Sequence, residues 1–150
     1  MPCHRDNFLL NLLEPDMLDQ IEPQLSIIDL RREQVLAETH ARIESVYFPH
    51  SGIISCVVEL IGGGTIETGM IGKDGVFGAS QALDDKVSLN HVVTQLAGTA
   101  SLMTSDQCPS PYLQVALADA WTCWFRSAIN AGIPGANDGG PAHHRDDSSR

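Results

Sequence analysis

The chain has 150 residues, 43% of them hydrophobic, and a formal net charge of −10 at pH 7. That length suits one ordinary domain with a real core, and no apolar run approaches the ~18 residues that a membrane-spanning helix needs. Lys73 and Lys86 are the only lysines, so there is no basic stripe to neutralise nucleic-acid phosphates.

The N-terminus, "MPCHRDNFLLNLLEPD", has no basic stretch feeding a long apolar one and no small-residue cleavage site, so a cytoplasmic protein without a signal peptide is expected. "NFLLNLLEPDMLDQIEPQL" predicts two short helices. Phe8, Leu9, Leu12 and Leu13 form an apolar face on the first. Pro15 suits the first turn of the second, with Asp16 near its positive end, and Met17, Leu18 and Ile21 recur at helical spacing. From Leu25 the pattern shortens to strands: "LSIIDL", "QVLAE", "IESVYFP" and "GIISCVVEL", the last with Ile54, Cys56, Val58 and Leu60 in alternation. Gly62, Gly63 and Gly64 signal a hairpin, with "TIETGMI" as its return strand, and "HVVTQLAG" and "TASLMT" add two more. Short strands divided by turns predict a small sandwich or barrel, and the lack of strand–helix alternation argues against a parallel α/β sheet. "SPYLQVALADAWTCWFRSAI" is helical again, with Leu113, Leu117, Ala120, Trp121, Trp124 and Ala128 along one side. That stripe either folds back on the strands or packs on its twin in a homodimer. Beyond it, "AGIPGANDGGPAHHRDDSSR" has the composition of a disordered tail, and His143 and His144 there are incidental.

Cys3, Cys56, Cys108 and Cys123 form no CxxC pair, so no zinc or iron–sulfur site is expected, and Cys56 reads as a small core residue. His40, His50 and His91 have no ligand spacing, and no nucleophile elbow or Ser-His-Asp pattern occurs, so no catalytic residues are assigned and an enzyme is not expected. "MIGKDGVFGASQAL" carries Gly72, Gly75 and Gly78 in a loop. Such glycines either cradle a phosphate or give a tight turn at φ > 0; the turn is the expectation for Gly72 and Gly75, with Lys73 and Asp74 exposed on it.

"VYFPHSGIISCVVEL" followed by "GGGTIETGMIGKDGVFGA" resembles the sensor domain of the Crp/Fnr family of bacterial transcription regulators, over residues 8–110. The resemblance implies a mainly β fold, a double-stranded β-helix or jelly roll, with N-terminal helices and one C-terminal amphipathic helix. Family members continue through a helix that pairs two subunits into a helix-turn-helix that enters the DNA major groove, and ligand binding shifts the dimer between states. In cyclic-AMP-binding members a Gly-Glu pair opens the phosphate cassette, with the Glu on the ribose; an Arg further on pairs with the phosphate, and a Ser or Thr follows it. Carried onto this sequence, the pocket candidates are Gly78, Ala79, Ser80, Leu89 and Asn90. Ala79 stands where the Glu is expected, Leu89 where the Arg is, and Asn90 where the Ser or Thr is; no Arg lies between Arg42 and Arg126. Lys86 is the nearby cation and is no substitute for a guanidinium fork. His91 is kept as a distant candidate for the vacated region. Neither a cofactor nor a metal is expected, and a cyclic nucleotide would bind without its charged contacts. Cys3 alone near the N-terminus does not match the family's iron–sulfur branch.

The expected organisation is a jelly roll over 8–110, a dimerisation-type helix over 111–130 (its pairing face running from Tyr112 to Ile129) and a tail over 131–150. The helix-turn-helix of the family has no counterpart in this sequence, which leaves the pattern abruptly after Ser110, and a truncated or frameshifted regulator is the expectation. DNA binding belongs to a full-length relative, and no membrane partner is expected. Two functions follow: the sensor half of a Crp/Fnr-type regulator that does not bind DNA alone, or a stand-alone cyclic-nucleotide-binding-like module acting through dimerisation or protein partners.

Overall fold

The computed structural model describes residues 1–79 and 87–104; Ser80, the predicted helix over 111–130 and the tail over 131–150 lie outside the described residues. A 3-10 turn at His4–Asp6 leads into α1 (Phe8–Leu12) and α2 (Pro15–Ile21), and a second 3-10 turn (Glu22–Gln24) hands the chain to β1 (Ser26–Leu30). Then come β2 (Val35–Ala37), β3 (Ser45–Pro49), β4 (Ile53–Glu59), β5 (Thr65–Ile71), β6 (His91–Leu96) and β7 (Gly98–Thr104). They form a three-stranded sheet in the order β1-β7-β3 and a four-stranded sheet in the order β2-β6-β4-β5. Every pairing is antiparallel. This is the mainly β jelly roll expected, with strands close to their predicted limits.

Two apolar layers hold the fold. On β3, Val46 and Phe48 are buried against Leu10, Leu13, Leu18 and Ile21 of the helices, with Met103 of β7 beside them. The alternate residues face the other way: Tyr47 joins Leu30, Ala37, Ile54, Val92 and Ala100 in the second layer. The period of two in β3 and β7 thus lets one sheet serve both layers. In β4, Ile54 is buried, Cys56 and Val58 are half-buried, and Leu60 is exposed, so the predicted alternation fades toward the hairpin. A register shift between Cys56 and Val57 interrupts the β4–β5 ladder, and Thr68 Oγ1 donates to the Cys56 carbonyl oxygen there at 3.1 Å. The hairpin itself is as expected, with Gly62 and Gly63 at φ 134 and 89.

The apolar face of α1 is corrected. Leu9, Leu10 and Leu13 are buried, whereas Phe8 and Leu12 are 43% and 46% exposed. The cause is the cap. Asn7 Oδ1 accepts from the Leu9 and Leu10 backbone N–H groups, while its Nδ2 donates to the carbonyl oxygens of Pro49 and Gly75. Those four bonds fix the rotation of a five-residue helix, which has too few turns to set it by its own amphipathicity.

Candidate functional site

The glycine loop after β5 is built on carbonyls. Gly75 N–H donates to the Gly72 carbonyl at 3.0 Å, closing a tight turn. The outward carbonyls of that turn meet the helical cap: Lys73 O accepts from the Phe8 N–H at 2.7 Å, and Gly75 O accepts from Asn7 Nδ2 at 3.0 Å. A phosphate needs converging N–H donors; this turn offers acceptors, already used to hold the start of α1. The expectation of a turn is met, but its conformational reason is not. Neither Gly72 nor Gly75 has positive φ, because the turn closes on ordinary backbone angles and Gly75 is kept small by Ile71 Cγ2, 2.9 Å from where a Cβ would sit. At Gly72 the nearest atom to an added Cβ is Asp74 Oδ1 at 3.4 Å, on an exposed side chain that can move. Gly72→Ala should therefore leave stability within about 0.5 kcal/mol of wild type in urea unfolding.

The chain is then fastened to β3. Tyr47 and Phe77 exchange backbone hydrogen bonds of 2.9 Å each, and their rings stack at a centroid distance of 6.1 Å. Burial pushes the Tyr47 hydroxyl pKa up, against a smaller lowering by the Ser45 side chain, so it stays a neutral phenol. Gly78 follows at φ 89, so close to β3 that an added Cβ would stand 2.5 Å from the Ser45 carbonyl oxygen. Of the pocket candidates, Gly78 is buried against β3, and Ala79 packs on the helical layer; Ser80 lies outside the described residues.

On the far side of the undescribed stretch, Val87 bridges to Arg42. Ser88 N–H donates to Ala41 O, and His40 N–H to Ser88 O. Leu89 is 74% exposed. Asn90 is half-buried, its Oδ1 3.4 Å from Thr68 Oγ1, and its backbone carbonyl accepts from Ser88 Oγ at 2.6 Å. The structure thus packs Gly78 against β3 and Ala79 on the helical layer, and leaves Leu89 exposed. Ala79 and Leu89 bring no polar side-chain atom to the places where the resemblance wants a ribose acceptor and a phosphate donor. His91 does not fill the gap, since its Nδ1 sits 2.9 Å from Glu38 Oε2. Cys56 is half-buried, as a small core residue would be; burial first and Glu67 second push its thiol pKa up, so it is no thiolate ligand. Among the described residues no group of three or more His, Cys, Asp or Glu side chains is placed to hold a metal ion, and no helix is long and apolar enough to cross a membrane.

Two arrangements went unread in the sequence. Asn7 had a visible signal, since Asn directly before "FLLNLL" is a strong N-cap pattern. The other joins residues far apart: Ser101 Oγ lies 2.7 Å from His4 Nδ1 and 2.7 Å from His50 Nε2. No local pattern announces it.

No protein-family model matches the chain, and no curated protein sequence matches it. Solved structures do match in fold. The N-terminal domain of a transcriptional regulator from Streptomyces coelicolor A3(2) superposes with a TM-score of 0.65 at 14% identity, covering 90% of this chain and 98% of that one. The catabolite activator protein of Thermus thermophilus gives 0.61 at 14% identity, with 82% and 58% covered. The regulatory subunit of a cAMP-independent protein kinase A from Trypanosoma brucei gives 0.63 at 14%, with 84% and 44% covered. The chain spans nearly all of the first, and about half the length of the other two.

Proposed function

We propose that this jelly roll is the sensor module of a bacterial transcription regulator of the Crp/Fnr type, and that it does not bind DNA by itself. One observation carries the reading: 90% of the chain superposes on 98% of the N-terminal domain of a transcriptional regulator, at a TM-score of 0.65. The net charge of −10 supports the second half of the proposal, since binding to DNA rests on cations. The role is non-catalytic. Its effector is not held as a cyclic nucleotide is elsewhere, because Ala79 and Leu89 offer neither the carboxylate nor the guanidinium such a ligand uses.

Isothermal titration of the purified chain with cyclic AMP and cyclic GMP, with light scattering for oligomeric state, tests this. No heat at micromolar ligand, and a dimer, is the expected result. Micromolar binding would overturn the reading of the pocket, and a strict monomer would remove the proposed homodimer through the 112–129 helix. Retention of a DNA duplex at physiological salt would overturn the claim that the chain does not bind DNA alone.

A further inference from the structure

We propose that His4, Ser101 and His50 form a proton-operated latch that holds the N-terminal turn on β7 at neutral pH and releases it in mild acid. Ser101 is fully buried and His50 is 7% exposed, so water does not replace a lost partner easily. The Ser101 hydroxyl has one hydrogen to give, and ring nitrogens of His4 and His50 both lie 2.7 Å from its oxygen. His50 is itself held on its other side, with Nδ1 3.3 Å from Thr99 Oγ1 and its backbone N–H on Thr99 O at 2.8 Å. While either ring is neutral, the chain closes: one ring donates to Ser101, and Ser101 donates to the other ring's lone pair. When both rings carry protons, both facing nitrogens are donors. The serine hydrogen then has no acceptor, and two cations stand with ring centroids 6.5 Å apart.

The group that moves is His4. His50 is anchored to β7 by its backbone, whereas His4 sits in a three-residue turn at the surface. Among the described residues, the charged groups facing His50 are His4 and Asp6 of that turn, while β7 contributes the hydroxyls of Thr99 and Ser101. Burial lowers the His50 pKa first, Asp6 raises it, and His4 lowers it. A histidine whose folded pKa lies below its unfolded value of 6.5 binds fewer protons folded than unfolded. Its contribution is therefore complete above that value and is lost as pH falls from 6.5 through the folded pKa. Release also reaches the glycine loop, because the Asn7 N–H donates to His4 O at 3.3 Å, and Asn7 is what grips Gly75.

Amide hydrogen exchange of the full chain at pH 7.5 and 5.0, corrected for intrinsic rates, tests the latch. Protection of the Asp6, Asn7 and Phe8 amides should fall at least about tenfold at pH 5.0, while β7 amides keep theirs. His4→Gln retains a hydrogen-bonding side chain and cannot be charged; in that variant the fall should disappear. Unchanged protection in the wild type, or the same fall in His4→Gln, would overturn the proposal. The wild-type measurement alone decides the first of these, whatever the variant's own stability.

Discussion

Asn7→Ala should be among the most damaging single substitutions in the described part of the chain, at about 3–4 kcal/mol in urea unfolding, or a loss of roughly 10 °C in Tm. The side chain is fully buried and makes four hydrogen bonds, two to N–H groups of α1 and two to carbonyl oxygens at the end of β3 and in the glycine loop. Removing it leaves Pro49 O and Gly75 O with lost donors and two helix N–H groups without their cap, in a place water reaches poorly. Asn7→Asp separates the two halves of the effect. The carboxylate still caps α1 but sets a negative oxygen against two carbonyls in place of a donor, so it should recover no more than about 1 kcal/mol of the loss. A loss below about 1 kcal/mol for Asn7→Ala would show that the helices are held by their apolar layer alone.

Gly78→Ala should cost about 3 kcal/mol. Two penalties combine. At φ 89 an L-residue is strained, and the new Cβ would lie 2.5 Å from the Ser45 carbonyl oxygen and 3.2 Å from Ile43 Cγ2. The first neighbour is the backbone of β3, which is locked to β7 from Ser45 to Pro49 and cannot yield. The experiment also distinguishes two roles for this glycine. If it serves close packing, stability falls whether or not any ligand is present. A variant of wild-type stability with altered nucleotide binding would instead make Gly78 a ligand contact, and the reading of the loop as a structural fastening would be wrong.

The strands were legible because each is bounded by residues with a local reason to be there. β5 runs from Thr65 to Ile71 as expected, set by the glycines of the hairpin on one side and Gly72 on the other. Helical phase was less legible. In α1 the pattern Phe8, Leu9, Leu12, Leu13 is as regular as Leu9, Leu10, Leu13, and what selects the second is Asn7's grip on distant carbonyls. The glycine motif was readable as a turn, but not as a clasp for α1, since its partner lies at the other end of the domain's sequence. The pocket candidates came from the resemblance alone: in the structure Gly78 packs against β3 and Ala79 on the helical layer, while Leu89 is exposed and His91 is committed to Glu38. The His4–Ser101 contact spans 97 positions, beyond any periodicity a sequence carries.

The position of β7 has a consequence for how the protein is made. It is the middle strand of the three-stranded sheet, pairing with β1 on one side and β3 on the other, and it is the last described element to be synthesised. A nascent chain emerging from the ribosome therefore carries β1 and β3 with open edges, and Val46 and Phe48 lack Met103 from their shared layer, until residue 104 is out. Such delayed long-range pairing is slow and leaves edges available to other chains. Translation that halts before β7 would release a polypeptide suited to chaperone capture or aggregation, whereas a chain whose Thr104 has emerged can pair β7 with both β1 and β3.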